Sequence, residues 1–338
     1  MFGNMRKYIS ILFAGVFCLA SCQHDVIYEI DYNITLDGEN TYYAGDPVKF
    51  NITGDVENLL FYSGEMGSQY VYKDRYYVDS EEINNATLSL DVRGNYGTAY
   101  GSLEVWISNS FTGLTGTDGA KDRATIKEMV DGGMKGWTKL PYEDLSKDNG
   151  KWSSWEFSLN DYLDNMTIAF HWCPPTHEIV QRTYWINGTI NVEMTGVPPI
   201  TQTLRDMGCV KIMMNENLEP LHNEKNVASN GSMRLPQPDA NGVWPEQHLI
   251  MQGVGANVLT YALDGWVITK PQPLSKVAND KGIVIKNLQN YLHSYEYVWN
   301  EPGTYKVVFV GRNENYASAS EKVYEYTINI LEKPVTEE

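Results

Sequence analysis

The stretch of about residues 100–194 constrains the fold most, because it is a succession of β-strand patterns separated by polar turns. Near its start, Leu103, Val105 and Ile107 alternate with other residue types, and a period of two predicts a strand with one buried face. Long helical periods are scarce along the chain, and turn residues are frequent. These features predict an all-β protein. Further strand patterns lie at 152–159, 166–172 and 183–194.

Length and charge narrow the possible functions. The 338 residues are enough for two domains, or for three small ones. The formal net charge of −17 at pH 7 argues against nucleic-acid binding, because phosphates need a basic surface. The same charge favours solubility and a neutral partner such as a glycan.

The N-terminus has the pattern of a bacterial export signal. Arg6 and Lys7 precede an apolar run at residues 8–17, which is too short to span a bilayer as a mature helix. The run leads into the sequence LASC at residues 19–22, which resembles the lipobox of bacterial lipoproteins. An ordinary signal peptide with an incidental cysteine is the alternative.

The lipobox resemblance implies cleavage before Cys22 and lipidation of its thiol. Residues 1–21 would be the signal peptide, and residues 22–30 a lipidated tether to the membrane. Of the four cysteines, Cys173 and Cys209 would then remain as thiols in the folded protein. An exported compartment permits a disulfide between them, and two buried thiols are the alternative.

Two segments far apart in the chain resemble the two halves of a PKD-like immunoglobulin-fold domain. The first is residues 43–65, with the motif GDPVKF, and the second is residues 295–313, with the motif PGTY. Pro302-Gly303 is predicted to form the turn of a closing hairpin. We interpret the segments as one Ig-like domain split by an insertion, and two separate Ig-like modules are the alternative. The predicted halves are residues 31–90 and 265–338.

The predicted insert, residues 91–264, resembles the jelly-roll modules called choice-of-anchor domains. Four motifs of that family have counterparts here, and the last has Asn187 where the family usually has Asp. We therefore predict an Ig/PKD-like β-sandwich split by an inserted jelly-roll β-sandwich, after an N-terminal lipoprotein signal peptide. The counterparts are Leu103 to Gly113, Trp155 to Tyr162, Thr167 to Trp172, and Thr183 to Asn187.

Tryptophans of the insert are the first candidates for ligand binding. Aromatic rings stack on the C–H faces of sugars while nearby amides and acids bind the hydroxyls. Packing in a hydrophobic core is the alternative for each ring. His171, between two aromatic residues, is predicted to be a half-buried histidine rather than a ligand or base. The candidate carbohydrate-binding residues are Trp106, Trp137, Trp152 and Trp172.

Acidic residues in the polar segment 113–136 are the second candidates. Asp118, Asp122 and Asp131 could supply hard oxygen ligands to a structural calcium ion. A solvated acidic loop is the alternative, and a short helix is predicted within it at 124–130. The sequence lacks the spacing of an EF-hand or of a zinc site.

The overall pattern resembles uncharacterised outer-membrane lipoproteins of Bacteroidetes, as found in polysaccharide-utilisation loci. That resemblance implies a lipid-anchored protein of the outer membrane, facing the cell exterior, that binds a polysaccharide or oligosaccharide without cleaving it. Possible partners are an outer-membrane transporter and its SusD-like protein.

Two other classes of function stay open. A structural or adhesive surface lipoprotein would bind a protein partner through a flat apolar patch. A glycoside hydrolase would need two carboxylates across a cleft, one with a raised pKa. The sequence has no GxSxG motif and no other catalytic signature, so we predict that the protein is not an enzyme.

Overall fold

The computed structural model describes residues 30–141, 150–215, 232–236, 248–314 and 319–334. The predicted signal peptide, Cys22 and nearly all of the predicted tether lie outside these residues. In the described part the regular structure is mostly β-strand, with one α-helix and three short 3₁₀ helices, so the prediction of an all-β fold is confirmed. No helix in that part is both long and apolar enough to cross a membrane.

The chain folds into two compact units. Unit 1 comprises the described residues up to Asp74 and from Asn279 onward, and unit 2 comprises the described residues from Arg75 to Ala278. The boundaries predicted after residues 90 and 264 both fall inside unit 2. The first cuts the strand Ile83–Asn95, and the second separates the strand Gly265–Ile268 from its partner strand in unit 2.

Unit 1 is built from two sheets that share one aromatic core. The three-stranded sheet has the order β1-β3-β17, and the five-stranded sheet has the order β16-β4-β18-β19-β2. Phe50, Phe61, Trp299 and Phe309 are buried between them. The strands are β1 (Asp31–Leu36), β2 (Thr41–Tyr43), β3 (Pro47–Asp55), β4 (Asn58–Tyr62), β16 (Ile283–Lys286), β17 (Ser294–Val298), β18 (Gly303–Glu314) and β19 (Ala319–Leu331).

The prediction that Pro302-Gly303 forms the turn of a hairpin is wrong. β17 pairs with β3, whereas β18 pairs with β4 and β19, so residues 299–302 connect the two sheets. The buried Trp299 lies in this connection and donates a hydrogen bond from Nε1 to the Ser63 carbonyl at 3.2 Å. The indole therefore fixes the crossover in the core, where the sequence motif alone suggested a surface turn.

Tyr32 links β1 to the five-stranded sheet of unit 1. Its buried hydroxyl donates to the Lys322 carbonyl at 2.7 Å and accepts from the Gly311 N–H at 2.9 Å. A Cβ at Gly311 would lie 2.4 Å from the Tyr32 ring, so the ring packs directly on the glycine backbone. Burial raises the pKa of the Tyr32 hydroxyl above its ordinary value of 10.0.

Tyr32→Phe is expected to lower the free energy of unfolding by about 1–2 kcal/mol, because the buried Gly311 N–H and the part-buried Lys322 carbonyl lose their partner. The raised pKa adds a pH dependence. Above about pH 10 tyrosine ionises in the unfolded chain before it ionises in the native state, so wild-type stability falls as pH rises. Between about pH 8 and about pH 11, the free energy of unfolding of Tyr32→Phe should fall by about 1 kcal/mol less than that of the wild type. Urea unfolding at both pH values measures this difference.

Tyr291→Phe is the control for this experiment, since its side chain is 87% exposed. It should behave like wild type at both pH values. The prediction would be contradicted if the free energy of unfolding fell equally in wild type and Tyr32→Phe on going to the higher pH.

Unit 2 is a second two-sheet structure. One sheet has the order β13-β14-β10-β5-β8, with β11 also paired to β10, and the other has the order β12-β15-β9-β6-β7. The apolar faces of the two sheets form one core. The strands are β5 (Ile83–Asn95), β6 (Leu103–Ser108), β7 (Trp137–Lys139), β8 (Trp152–Ser158), β9 (Thr167–Trp172), β10 (Thr183–Met194), β11 (Val197–Thr203), β12 (Val210–Met213), β13 (Ser232–Arg234), β14 (Leu249–Gln252) and β15 (Gly265–Ile268).

Strict alternation in β5 and β10 defines the outer face of the six-stranded sheet. Leu88, Leu90 and Val92 of β5 are buried in the core, and Ile186 and Ile190 of β10 are buried beside them. Because successive side chains of a strand point to opposite faces, the residues between them lie on the outer face. These residues are polar or aromatic and partly exposed.

The predicted loop at 113–136 contains the helix α1 (Gly119–Asp131), which begins earlier than the predicted helix at 124–130. Asp118 caps it by accepting the Lys121 N–H at 3.0 Å. Ile126 of the helix is buried with Trp266 and Ile268, in a second, smaller core on the outer face of the five-stranded sheet. Three short 3₁₀ helices lie at Tyr70–Tyr72, Ser80–Glu82 and Asn160–Tyr162.

Candidate functional site

A row of three side chains crosses the outer face of the six-stranded sheet. Trp185 of β10 is directly opposite Arg93 of β5, and Arg93 is directly opposite Trp152 of β8. Directly opposed residues of antiparallel strands share a face, so the three side chains are neighbours. The Arg93 guanidinium lies 4.4 Å from the centroid of the Trp185 ring and 5.7 Å from that of Trp152. Cation–π contact therefore holds the arginine between two indoles.

A polar row lies beside the aromatic one. Asn187, Asp91 and Ser154 oppose one another on the same three strands. The Ser154 hydroxyl donates to Asp91 Oδ1 at 2.6 Å, and His248 Nδ1 lies 2.5 Å from Asn187 Oδ1. The His248 ring also contacts Trp152, with centroids 5.3 Å apart. We call the surface formed by the two rows the Trp152–Trp185 face; its members are Trp152, Arg93, Trp185, Ser154, Asp91, Asn187 and His248.

Two cavities border this face. One, of about 330 Å³, is lined by Trp185 together with Tyr96, Gln181 and Arg234. The other, of about 220 Å³, is lined by polar members of the face, Asp91, Asn187 and His248, with Arg205 beside them.

Gln181 lies in the lining of the larger cavity. Its side chain is buried, and neither its amide oxygen nor its amide nitrogen has a hydrogen-bond partner among the described residues. A buried amide without partners is uncommon in a native protein. Gln181 therefore has unused hydrogen-bonding groups behind the cavity wall, and a bound molecule would reach them only if the side chain turned toward it.

A second polar cluster lies on the outer face of the five-stranded sheet. His171 Nε2 lies 3.0 Å from Asp264 Oδ1, and His171 Nδ1 lies 3.4 Å from Glu104 Oε2. Trp266 stacks on the His171 ring at 3.8 Å and donates from Nε1 to Asp264 Oδ1. Lys139 binds the other Glu104 oxygen at 2.5 Å. We call Glu104, His171, Cys173 and Asp264 the Glu104–His171 cluster.

The cluster favours the charged forms of both central groups. Burial lowers the pKa of His171, but hydrogen bonds to Asp264, Cys173 and Glu104 outweigh it and raise the pKa to about 11. The hydrogen bond from His171 is the main cause that lowers the pKa of Glu104 to about 2. His171 is half-buried and hydrogen-bonded, as the sequence predicted.

The structure separates the four predicted tryptophans. Trp152 lies on the Trp152–Trp185 face and is 42% exposed. The prediction that Trp172 stacks on a sugar is wrong, because its side chain is 0% exposed in the main core of unit 2. Trp106 and Trp137 are half-buried and pack against the second core, next to α1. The structure therefore brings none of the other three onto the face of Trp152.

The three predicted calcium ligands are engaged at different places around α1. Asp118 caps the N-terminus, and Asp131 at the C-terminal end pairs with Lys127 at 2.7 Å. The buried Asp122 carboxylate accepts the backbone N–H groups of Thr115 and Gly116. A helix rises about 1.5 Å per residue, so Asp118 and Asp131 lie about 20 Å apart. One calcium ion cannot contact both, and the predicted shared site is not formed.

Sequence reasoning missed Arg93, Trp185 and His248. Trp185 lies in a predicted strand motif, and its alternation with Tyr184 and Ile186 could have placed it on the outer face. The position of His248 had no such signal, since no clear periodicity precedes it. Cys173 and Cys209 are both free thiols, so the open question of their pairing resolves against a disulfide.

Comparison with curated proteins and with solved structures finds no significant match. A family model described as Domain of unknown function (DUF5017) matches residues 21–129, about a third of the chain. The matched residues include Arg93 and Glu104 but end before Trp152, His171 and Trp185. A DUF5017 domain is thus present at residues 21–129.

Proposed function

We propose that the protein binds a polysaccharide or oligosaccharide without cleaving it, through the Trp152–Trp185 face. The observation that carries the proposal is the row Trp185, Arg93, Trp152, which lies in register across three strands. Two strand spacings extend about 10 Å, which is enough for more than one sugar ring. The exposed ring of Trp152 supplies a stacking surface, and Trp185 holds Arg93 in position.

The neighbouring groups match what sugar hydroxyls require. Arg93 donates, Asp91 accepts, and the amide of Asn187 does both. Aromatic rings with polar groups placed beside them match the two surfaces of a sugar, its C–H faces and its hydroxyls. Together with the lipobox resemblance, this surface supports a role as a lipid-anchored, cell-surface glycan-binding protein of a nutrient-uptake system. An outer-membrane transporter and a SusD-like protein are the partners that such a role implies.

Affinity electrophoresis of residues 23–338 against plant, host and microbial polysaccharides tests the proposal. We expect retardation by at least one polysaccharide. Trp152→Ala and Arg93→Met should each weaken that binding about tenfold or more, as truncation of a central binding residue does. Tyr77→Ala is the control, since Tyr77 belongs to the same unit, is exposed and lies outside the face.

Two results would count against this function. In the first, no polysaccharide retards the wild-type chain. That result would favour a protein partner instead, and a pull-down from the cell envelope would then search for it. In the second, Trp152→Ala and Arg93→Met bind as tightly as wild type, which would place the glycan elsewhere on the chain.

A further inference from the structure

We infer that Glu104, His171 and Cys173 form a binding site for a divalent transition-metal ion of the Zn²⁺ type. One potential ligand atom from each residue lies within 4.8 Å of the other two. Glu104 and His171 are directly opposed on β6 and β9. Cys173 lies two residues beyond His171 and so points to the same side of the sheet. The site is distinct from the Trp152–Trp185 face and does not depend on glycan binding.

The ligand types select the metal. A thiolate, an imidazole and a carboxylate are the three protein ligands that Zn²⁺ prefers, and Co²⁺ takes the same set. Calcium and magnesium prefer oxygen ligands alone. Three protein ligands leave a fourth tetrahedral position for water or another molecule, and all three residues are half-buried rather than sealed in the core.

Neighbouring residues orient the ligands as in known metal sites. A metal-binding histidine usually donates its second ring N–H to a carboxylate. Here His171 Nε2 lies 3.0 Å from Asp264 Oδ1, and that oxygen also accepts the Trp266 N–H at 3.1 Å. This arrangement directs Nδ1 toward Glu104 Oε2. Lys139 holds the other Glu104 oxygen, and Oε2 accepts the Trp106 N–H at 3.1 Å, so the second lone pair of Oε2 is the one that would bind the metal ion.

The distances fit after a small side-chain movement. Zn²⁺ binds nitrogen and oxygen at about 2.0–2.2 Å and sulfur at about 2.3 Å, so tetrahedral ligand atoms lie about 3–4 Å apart. Nδ1 and Oε2 are already 3.4 Å apart. Cys173 directly follows β9, and its ligand atom lies within 4.8 Å of the other two, so metal binding requires the Cys173 side chain to move closer. Metal binding would replace the protons of the imidazole Nδ1 and of the thiol.

Co²⁺ titration of residues 23–338 tests the site, because thiolate ligation gives a near-ultraviolet charge-transfer band. We expect the band to saturate at one equivalent and to disappear on addition of Zn²⁺. Cys173→Ser should abolish the band, whereas Cys209→Ser, the matched control at the other free thiol, should retain it. Asp264→Asn should retain the band but lower the affinity about 10–100-fold.

Three outcomes would overturn the inference: no charge-transfer band in the wild-type chain, an unchanged band in Cys173→Ser, or loss of the band in Cys209→Ser alone. If Cys173→Ser does not fold, Asp264→Asn provides the test. Unchanged Co²⁺ affinity in Asp264→Asn would contradict the role given to Asp264 and His171. Polysaccharide binding in the same preparations should not depend on the metal ion, which separates this site from the proposed function.

Discussion

Trp172→Ala is expected to lower the free energy of unfolding of unit 2 by about 4 kcal/mol. The indole is fully buried, directly opposite Leu103 of β6 and Gly265 of β15. Truncation removes its transfer free energy and leaves a cavity between the two sheets, and both effects destabilise the native state. Trp172→Phe should cost less, about 1–2 kcal/mol, since the smaller ring still fills most of the space.

Trp152→Ala is the matched control, because it makes the same truncation on an exposed strand residue. The change should lower the free energy of unfolding by about 1 kcal/mol, because it removes the contacts to Arg93 and His248, while weakening polysaccharide binding. Urea unfolding followed by circular dichroism, with the gel assay on the same samples, gives both quantities. Equal destabilisation by the two variants would mean that burial does not separate structural from binding tryptophans here.

The sequence predicted four strands of unit 2, which are β6, β8, β9 and β10, but it missed others, including the long strand β5, and it could not show which outer faces are covered. Alternation correctly placed Trp106 on the face opposite Leu103, Val105 and Ile107. It could not show that α1 covers that face, because the helix comes from a polar segment whose one fully buried apolar residue is Ile126. An outward-facing tryptophan is therefore a binding candidate only after the elements that pack over it are known.

The two candidate sites depend on strand register, which the sequence does not specify over long separations. Arg93, Trp152 and Trp185 come from three strands far apart in the chain, and hydrogen-bonded pairing brings them into one row. A shift of one residue would turn each of these side chains to the other face. The same holds for Glu104 and His171, whose contact follows from the pairing of β6 with β9.

Gly97→Ala is expected to lower the free energy of unfolding of unit 2 by about 3 kcal/mol or more, because a methyl group there meets backbone. Gly97 has a φ of 56°, and an added Cβ would lie 2.4 Å from the Val180 carbonyl oxygen and 2.7 Å from that of Gln181. Those atoms cannot rotate away as a side chain does. The segments at 96–97 and 180–181 would have to separate.

Separation would also disturb the cavity beside Trp185. Tyr96 contacts the Trp185 ring with centroids 6.3 Å apart, and Gln181 lines the same cavity. The buried Arg182 holds this region by donating from Nη1 to the carbonyls of Tyr96 and Gly97 at 3.4 and 3.3 Å. Gly97→Ala should therefore weaken polysaccharide binding as well as stability.

Gly101→Ala isolates the clash from the backbone strain. Gly101 also has a positive φ, 71°, but an added Cβ would have no heavy atom within 4 Å. Gly101→Ala should therefore lower the free energy of unfolding by about 1 kcal/mol, from the strain of the left-handed conformation alone. It should leave the affinity for polysaccharide unchanged. Urea unfolding and affinity electrophoresis of the two variants give the comparison. Equal losses of stability and of affinity in the two variants would show that the close approach of residues 180–181 to Gly97 does not support the Trp152–Trp185 face. Conformational strain would then explain the effect of both substitutions.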